Sequence, residues 1–284
     1  MSSVSRRRFF ALASAAAAGA TFFDSPQILR AAAVEGRFGG WPVGIQSYSL
    51  RKFDLNQAVR HMHGLGVHFA EFYKKHVSIE STDTDLTPLA ALLDEADITM
   101  SSHGVNGFTG AHAANRQVFE FARRAGLRNI TANPELDSFA SLDKLVAEFD
   151  IRICIHNHGP GAIYDKIDDV VDAVKDHDPR IGACVDTGHF IRSKEDPIEA
   201  LERLGRRVFA LHIKDEEKQE KKSRNVIIGT GFLDLPKLFT TLRKIEFPAD
   251  GSVSLEYEAN PDNPIDDIQQ CLAAASEAIA KAAA

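Results

Sequence analysis

Short apolar segments alternate with amphipathic segments from Trp41 to the C-terminus, and this alternation constrains the fold more than any other feature of the chain. Each apolar segment has the length and residue types of a buried strand, and each amphipathic segment repeats its apolar residues at helical spacing. The strand–helix unit recurs eight times, which is the arrangement of a closed (β/α)8 TIM barrel of about 250 residues. We therefore predict an α/β fold with a single barrel domain at residues 41–284.

The pattern predicts strands at residues 43–48, 67–73, 98–103, 129–132, 152–156, 181–186, 208–213 and 253–257. Helix starts are marked by a capping residue followed by proline, at Thr87-Pro88 for the second helix and Asp196-Pro197 for the sixth. An open doubly wound sheet is the alternative fold. It has little support because no glycine-rich turn follows the first strand, and Gly229-Thr230-Gly231 comes too late in the chain to bind a dinucleotide.

The first 33 residues resemble an export signal and not part of the barrel. Ser5-Arg6-Arg7-Arg8-Phe9-Phe10 is similar to a twin-arginine motif, and an alanine-rich segment follows it. This segment is short for a transmembrane helix, which needs about 20 apolar residues. We expect a twin-arginine signal peptide at residues 1–33, recognition by the twin-arginine export machinery, and a periplasmic protein that stays membrane-anchored if the signal is not cleaved.

The charge and the cysteines limit the partners of the chain. The formal charge is −7, and removal of residues 1–33, with four arginines and one aspartate, makes it −10. A surface with this charge repels the phosphates of nucleic acid, so we expect no nucleic-acid partner. The three cysteines, an odd number, indicate no disulfide framework.

Four polar residues stand at the ends of four consecutive predicted strands. His156 ends strand five, Asp186 ends strand six, His212 ends strand seven and Glu256 ends strand eight. In a barrel these strand ends surround the same opening, so the four side chains can point to a common centre. Two imidazoles and two carboxylates suit Mn²⁺, Zn²⁺, Fe²⁺ or Co²⁺ better than Mg²⁺ or Ca²⁺, which prefer oxygen ligands. We predict one divalent metal ion held by these four residues.

Other polar residues lie near the same strand ends. Glu71 ends strand two, His103 ends strand three, and His158 follows strand five. His189 and Lys214 follow strands six and seven. A metal-bound carbonyl makes the proton on the neighbouring carbon easier to remove, and that proton needs an acceptor. Glu71, His103 and His158 are the candidate catalytic acceptors, and His189 and Lys214 are candidates for binding substrate hydroxyls or stabilising negative charge.

Four segments of the chain resemble the motifs of one family. They are Val185-Asp-Thr-Gly-His189, Leu211-His-Ile-Lys-Asp215, Gly229-Thr-Gly-Phe-Leu-Asp234 and Ser254-Leu-Glu-Tyr-Glu258. Together they are similar to the motifs of the xylose-isomerase-like barrels, often called sugar phosphate isomerases/epimerases, and the resemblance covers nearly all of the chain after Trp41. It implies a carbohydrate substrate and one divalent metal ion, often Mn²⁺, with Asp186, His212 and Glu256 among its ligands.

The chain departs from this family at strand five. Sugar epimerases of the family have a glutamate at the position of His156. In those epimerases the glutamates of strands five and eight act as acid and base on opposite faces of the sugar. This chain retains only the second of the two glutamates, so the resemblance does not extend to a two-glutamate epimerisation.

We therefore expect a metal-dependent enzyme that removes a proton next to the carbonyl of a sugar or sugar derivative, as an isomerase or epimerase does. A lyase that uses the same step for β-elimination from a 3-keto-glycoside is an alternative, which His156 and the export signal favour. Two further alternatives are an enzyme like the abasic-site endonucleases of the superfamily, which the acidic charge disfavours, and a non-catalytic sugar-binding barrel.

Overall fold

Eight parallel strands close into a single barrel in the computed structural model, which describes residues 36–283. The strands are β1 (Val43–Gln46), β2 (Phe69–Phe72), β3 (Thr99–Phe108), β4 (Asn129–Pro134), β5 (Arg152–His156), β6 (Ile181–Asp186), β7 (Val208–Ile213) and β8 (Ser252–Leu255). Each strand pairs with its neighbours in sequence, and β1 also pairs with β8, which closes the ring. The predicted (β/α)8 fold is confirmed.

Helices follow the strands and cover the outside of the barrel. They are α1 (Leu55–Gly64), α2 (Asp83–Glu95), α3 (His112–Arg124), α4 (Phe139–Phe149), α5 (Ile167–Lys175), α6 (Thr187–Arg192), α7 (Pro197–Leu204), α8 (Leu235–Lys244) and α9 (Ile265–Ala283). Between β7 and α8 the chain forms a short antiparallel hairpin of Asp215–Glu216 with Asn225–Val226. Apart from the short α6, which has no exposed residue, each helix buries one apolar face against the strands and leaves the other face to solvent.

The apolar core has two parts. The larger part lies between the strands and the helices and includes buried residues from both layers. The smaller part consists of Cys154, Cys184, Phe209 and Ala210, on β5, β6 and β7. The cysteines of the chain are buried free thiols, and burial raises the pKa of Cys154, Cys184 and Cys271, so they behave as packing residues.

The second helix begins earlier than predicted. α2 begins at Asp83, after Thr82 as its N-cap, and not at Thr87-Pro88. The Asp85 carboxylate accepts hydrogen bonds from the backbone N–H and the hydroxyl of Thr82 at 2.8 and 2.7 Å, and this capping contact starts the helix before the proline. Pro88 therefore lies inside the helix, where its missing N–H leaves one backbone hydrogen bond unmade.

The largest other differences are the helix α6 and the end of β3; β1, β2 and β8 end one or two residues before, and β4 two residues after, their predicted ends. The short helix α6 follows β6 directly, whereas the pattern indicated no helix before the Asp196-Pro197 start. α7 does begin there, with Asp196 as its N-cap. β3 continues to Phe108, past its predicted end at His103. Both differences lengthen the structured part of the chain at the carboxyl ends of the strands.

The predicted export signal at residues 1–33 lies outside the described residues. Within residues 36–283, no helix is both long enough and apolar enough to cross a bilayer. The signal peptide and the periplasmic location stay predictions from the sequence.

Candidate metal and substrate site

The ends of β5, β6, β7 and β8 bring four residues with metal-binding side chains together. One atom from each of His156, Asp186, His212 and Glu256 lies within 4.8 Å of the other three, and all four residues are buried. His156 Nε2 lies 3.0 Å from His212 Nδ1 and 3.3 Å from Asp186 Oδ2. His212 Nδ1 lies 3.3 Å from Glu256 Oε2. The residues predicted as ligands thus form one cluster that could hold a metal ion, which we call the four-residue cluster.

Hydrogen bonds from side chains to backbone connect the strand ends that carry this cluster. The Asn157 side chain accepts the Asp186 N–H at 2.8 Å and donates to the Asp186 carbonyl oxygen at 2.9 Å. The Thr187 hydroxyl donates to the Lys214 carbonyl oxygen at 2.6 Å and accepts the Lys214 N–H at 2.9 Å. The first contact joins the end of β5 to β6, and the second joins the end of β6 to β7. The relative positions of the cluster residues are therefore set by hydrogen bonds to backbone.

Asp186 uses its two carboxylate oxygens differently. Oδ1 accepts the N–H of His189 at 2.7 Å and so caps α6. Oδ2 is buried and makes no hydrogen bond, although His156 Nε2 and Lys214 Nζ lie 3.3 and 3.2 Å from it. Burial raises the pKa of Asp186, but His189, Lys214 and His156 lower it well below its ordinary value, so the carboxylate is charged. A bound cation would satisfy this buried anionic oxygen.

Glu71 lies behind His212 and does not line the cavity described below. Its Oε2 accepts hydrogen bonds from His212 Nε2 at 3.0 Å and from the Ser254 hydroxyl at 3.1 Å. In a neutral His212 this contact places the proton on Nε2 and leaves Nδ1 free toward the cluster. Burial raises the pKa of Glu71, but His212 lowers it, and the net effect is a lowering. Sequence reasoning expected a proton acceptor here, whereas the structure places Glu71 as a support for His212.

Lys214 is buried among carboxylates. Its Nζ lies 3.2 Å from Asp186 Oδ2, 2.8 Å from Glu256 Oε2 and 2.5 Å from Glu258 Oε1. Burial lowers the pKa of Lys214, but these three carboxylates raise it well above its ordinary value. A Cβ at Gly188 would lie 2.8 Å from the Lys214 stem, so the glycine leaves room for the buried lysine. Lys214 therefore holds the carboxylates together, and it does not line the cavity as a substrate-binding residue would.

Two more histidines stand beside the cluster. His158 Nδ1 lies 3.4 Å from His156 Nδ1, and the ring centroids of His158 and His189 are 5.3 Å apart. Burial lowers the pKa of His158 to about 4 and that of His189 to about 2, so both imidazoles are neutral near pH 7. Arg192 Nη1 lies 3.3 Å from His189 Nδ1, so Nδ1 accepts that hydrogen bond and the His189 proton sits on Nε2.

His103 lies apart from the cluster. Its Nε2 is 2.9 Å from the Val77 carbonyl oxygen, and its Nδ1 is 3.2 Å from Asn106 Nδ2. Its ring packs edge-to-face on Phe121, with 4.9 Å between the centroids. Because both ring nitrogens have partners and the side chain does not line the cavity, His103 is not placed to accept a substrate proton.

A cavity of about 310 Å³ opens beside the four-residue cluster. His156 and Glu256 of the cluster form part of its wall, together with His158, His189 and Glu258. The rest of the wall comes from the segments at and after the ends of β1, β2 and within β3, and consists of Gln46, Tyr48, Tyr73, Lys74, Gly104 and Val105. The volume is at the lower end of the range of about 300–1,000 Å³ for small-molecule sites. The cluster and a ligand-sized cavity thus share a wall.

A buried carboxylate shapes the loop that contains Gly229-Thr-Gly-Phe-Leu-Asp234. Asp215 accepts backbone hydrogen bonds at 2.8 to 3.0 Å from the N–H groups of Glu216, Gly229, Gly231, Phe232 and Leu233. A Cβ on Gly231 would lie 2.3 Å from the Glu216 carbonyl oxygen, so only glycine fits there. This motif determines the conformation of the loop, and its residues do not line the cavity.

Sequence reasoning missed seven of the eleven residues in the cavity wall. Tyr48 and Tyr73 are the last residues of the predicted strands 43–48 and 67–73 but lie beyond the observed strand ends, and Val105 lies past the predicted end of its strand. Glu258 did carry a signal. In Glu256-Tyr257-Glu258 the two acids share the same strand parity, so both could be expected on the same face.

The donor atoms of the four-residue cluster fit a divalent metal ion. His156 can offer Nε2, His212 can offer Nδ1, Asp186 can offer Oδ2, and Glu256 can offer a carboxylate oxygen. A mixed set of imidazole and carboxylate ligands suits Mn²⁺, Fe²⁺, Co²⁺ or Zn²⁺. Burial lowers the pKa of His212, but Cys184, Glu71 and Glu256 raise it well above its ordinary value.

Known proteins share this fold and parts of this sequence. A family model described as xylose isomerase-like TIM barrel matches residues 59–275. An inosose dehydratase from Clostridium botulinum is 28% identical over 143 residues, which are 44% of this chain and 47% of that protein. A 3-oxo-isoapionate decarboxylase from Pectobacterium atrosepticum is 35% identical over 83 residues, which are 27% of this chain and 30% of that protein. The matches therefore span about half or less of the length of these curated relatives.

Solved structures match over a longer range. An uncharacterized protein from Parabacteroides distasonis ATCC 8503 is 27% identical with a TM-score of 0.64, over 82% of this chain and 96% of that chain. A 3-keto-D-glucoside 4-epimerase from E. coli is 15% identical with a TM-score of 0.65, over 83% of this chain and 98% of that chain. At 15% identity the second likeness is one of fold alone.

Proposed function

The chain belongs to the xylose isomerase-like TIM barrel family, and on this basis we propose that it is a metal-dependent enzyme that removes the proton next to the carbonyl of a sugar or sugar derivative. One observation carries the proposal: the four-residue cluster shares a wall with the cavity, beside side chains that can exchange protons. The relatives that the chain matches are named as a dehydratase, a decarboxylase and an epimerase of sugar-type compounds.

The names of two relatives support an oxidised sugar as substrate. The decarboxylase name and the epimerase name both specify a carbonyl at carbon 3, as 3-oxo and 3-keto. A carbonyl already present in the substrate acidifies the hydrogen on the adjacent carbon, so one acceptor and one polarising group suffice for the reaction. By analogy, we propose that the substrate of this chain is a 3-keto sugar derivative.

Four residues would hold the metal ion, namely His156, Asp186, His212 and Glu256. A divalent metal ion bound there, which we propose is Mn²⁺, would supply Lewis-acid chemistry by polarising the substrate carbonyl. Zn²⁺, Co²⁺ and Fe²⁺ suit the same ligands. The hydrogen bond from His212 to Glu71 keeps Nδ1 of this imidazole directed at the cluster.

The contact between His156 and His158 determines where His158 carries its proton. A neutral His156 that offers Nε2 as a ligand has its proton on Nδ1, and this Nδ1 faces His158 Nδ1 at 3.4 Å. His158 then accepts a hydrogen bond at Nδ1, so its own proton sits on Nε2. We therefore assign His158 the role of hydrogen-bond donor to the substrate through its Nε2–H, in place of the acceptor role expected from its position in the sequence.

Glu258 is the proton acceptor that the geometry favours. It lines the cavity, lies outside the four-residue cluster, and uses Oε1 for Lys214, which leaves Oε2 for the substrate. Glu256 is a weaker base because Lys214 and His212 hold its pKa far below its ordinary value, although burial raises it. His158 follows β5 and Glu258 follows β8, so the donor and the acceptor reach the substrate from different sides of the barrel opening.

The histidine on β5 favours β-elimination as the reaction. Epimerisation returns a proton to the same carbon from the opposite face, and the glutamate that the resemblance implies for this step is His156 here. In an elimination from a 3-keto-glycoside, Glu258 would take the proton from carbon 2, and the electron pair would form the double bond between carbons 1 and 2. The bond from carbon 1 to the glycosidic oxygen would break, the Nε2–H of His158 would hydrogen-bond to that oxygen, and a water molecule would supply its proton. The hydroxide left from that water would take the proton back from Glu258 and restore the carboxylate.

The reaction class can be tested with free ketoses and 3-keto-glycosides, each incubated with the purified protein and Mn²⁺. We expect release of the aglycone from the 3-keto-glycoside, incorporation of deuterium from D₂O at carbon 2 of the unreacted 3-keto-glycoside, and loss of both after treatment with EDTA. Isomerisation of the ketoses without aglycone release would favour the epimerase over the lyase. Absence of reaction and of deuterium incorporation with every substrate would contradict the proposal.

Metal dependence can be tested with two matched variants. Asp186→Asn and Asp196→Asn each keep an oxygen that can cap a helix, α6 and α7 respectively, but only the first variant loses a ligand oxygen. We expect the wild type and Asp196→Asn to bind Mn²⁺ equally, and Asp186→Asn to bind it at least about tenfold more weakly. Equal Mn²⁺ binding by all three proteins, measured by elemental analysis and calorimetry, would contradict the proposed metal site.

A further inference from the structure

The cavity wall has two chemically different halves. The segments after β5, β6 and β8 contribute imidazoles and carboxylates, as described above. The segments at and after the ends of β1 and β2 and within β3 contribute Tyr48, Tyr73 and Val105, with Gly104, Gln46 and Lys74. We call Tyr48, Tyr73 and Val105 the apolar half. The reaction proposed above involves groups of the polar half alone, so the apolar half has no role in it.

The apolar half is exposed to the cavity. Tyr48 is 38% exposed and Val105 is 36% exposed, which is unusual for large apolar side chains beside a buried cluster. The rings of Tyr48 and Tyr73 meet edge-to-face, with 5.5 Å between their centroids and an interplanar angle of 82°. When a ligand covers exposed apolar surface in a concave site, removal of that surface from water contributes favourably to the free energy of binding.

The surrounding contacts hold this half in place. Arg51 donates to the Tyr48 carbonyl oxygen at 3.1 Å and to the Glu258 carbonyl oxygen at 2.7 Å, and its guanidinium lies 4.7 Å from the centroid of the Tyr48 ring. The Tyr73 N–H donates to the Ser47 hydroxyl at 3.0 Å. Both aromatic residues are thus positioned before a ligand arrives, and such preorganised contact area reduces the entropic cost of binding.

We propose that the apolar half binds an aromatic aglycone that is joined to the sugar held by the polar half. The inference rests on the proposed function, because the metal site determines which end of the ligand is the sugar. A free sugar carries hydroxyls around its ring and would leave much of the Tyr48, Tyr73 and Val105 surface uncovered. A planar apolar group fits two edge-to-face rings, since aromatic groups prefer offset or edge contacts with one another.

Unreactive glycosides test the proposal separately from the reaction. Phenyl β-D-glucopyranoside and methyl β-D-glucopyranoside share the sugar and differ in the aglycone, and neither contains the keto group required for the chemistry. Binding of each to the Mn²⁺-loaded protein can be measured by calorimetry. We expect the phenyl glycoside to bind at least about tenfold more tightly, as burial of a phenyl ring implies. Equal affinities of the two glycosides would overturn the proposal.

A pair of variants locates the binding surface. Val105→Asp places a carboxylate in the apolar half, whereas Leu136→Asp places one at a 72% exposed apolar residue that does not line the cavity. We expect Val105→Asp to abolish the preference for the phenyl glycoside and Leu136→Asp to preserve it. Tyr73→Ala is a second variant with the same expected loss. If the preference survives both Val105→Asp and Tyr73→Ala, the aglycone does not bind here.

The two proposals fail in different ways. Preferential binding of the phenyl glycoside without aglycone release from any 3-keto-glycoside would contradict the proposed function and leave the aromatic subsite standing. Aglycone release from phenyl and methyl 3-keto-glucosides at equal kcat/KM, together with equal binding of the unreactive pair, would support the function and overturn the subsite.

Discussion

At the scale of single residues, the hydrogen bond between His212 and Glu71 adds a buried carboxylate to the proposed metal site, on the side away from the cavity. The buried Glu71 carboxylate fixes the tautomer of His212 and increases the basicity of its Nδ1. Glu71→Gln keeps the size of the side chain and removes its charge, so we expect Mn²⁺ affinity to fall on the order of tenfold. The measurement is a calorimetric Mn²⁺ titration.

Glu95→Gln is the matched control for this change, because Glu95 is exposed at the end of α2. The control is expected to bind Mn²⁺ as the wild type does. Unchanged affinity in Glu71→Gln would show that the carboxylate does not act through His212.

Glu216 makes the stability of the protein depend on pH. Its Oε2 is buried without a hydrogen bond, and burial raises its pKa to about 7 from 4.5. Between these two values the folded protein holds a proton that the unfolded chain has lost. The contribution of Glu216 to the free energy of unfolding is therefore full below about pH 4.5 and is lost as the pH rises through about 7.

Glu216→Gln removes this dependence. We expect the variant to match the wild type below about pH 4.5 and to exceed its free energy of unfolding by about 3 kcal/mol at pH 8. Urea unfolding at several pH values measures the difference. Glu217→Gln, at the exposed neighbouring position, serves as control, and parallel pH profiles for all three proteins would refute the assignment.

At the scale of elements, the contact of Thr187 with the Lys214 backbone joins β6 to β7 beside the cluster. Thr187→Val keeps the shape of the side chain but leaves a buried N–H and a buried carbonyl oxygen without this partner. We expect a loss of about 1–3 kcal/mol in the free energy of unfolding, measured by urea denaturation.

Thr240→Val is the control for Thr187→Val, because the Thr240 hydroxyl donates to the Pro236 carbonyl oxygen on the exposed side of α8. Its cost should stay within about 0.5 kcal/mol. Equal losses of unfolding free energy in the two variants would mean that the contact of Thr187 with the Lys214 backbone contributes no more than a surface hydrogen bond.

The boundaries of the elements were predictable where the chain alternates without interruption. The predicted limits of β5, β6 and β7 agree with the structure, because a run of mainly apolar residues reaches a polar end in β5 and β6 and is interrupted only by His212 in β7. The start of α2 was wrong because the Thr82 cap precedes the more conspicuous Thr87-Pro88. The helix α6 was missed because its start depends on the Asp186 cap, and Thr-Gly-His has no apolar periodicity.

At the scale of the whole molecule, the barrel and its cluster of candidate ligands followed from one repeated pattern. The repeated strand–helix unit predicts a barrel, and the strand ends of a barrel surround one opening. The sequence alone could therefore group four candidate ligands, namely His156, Asp186, His212 and Glu256. The placement of Lys214 could not be deduced in this way. Its burial depends on three carboxylates from other parts of the chain and on the absence of a side chain at Gly188.

The apolar half of the cavity was beyond sequence reasoning for a different reason. Tyr48 and Tyr73 lie after strands have ended, where side-chain direction no longer alternates with position. Their orientation follows from Arg51 and Ser47, whose partners are distant in sequence. The periodicity of apolar residues along the sequence does not predict such contacts.

The division of the cavity between two sets of strands also bears on how this barrel could acquire a new specificity. The groups assigned to the proposed reaction belong to β5 through β8 and the segments after them, whereas the surface assigned to the aglycone belongs to the segments of β1 to β3. Exchanging residues 48, 73 and 105 would therefore alter which leaving groups are accepted and spare those groups. On the proposed function, the barrel would combine a constant catalytic half and a replaceable recognition half within one domain, which suits protein engineering.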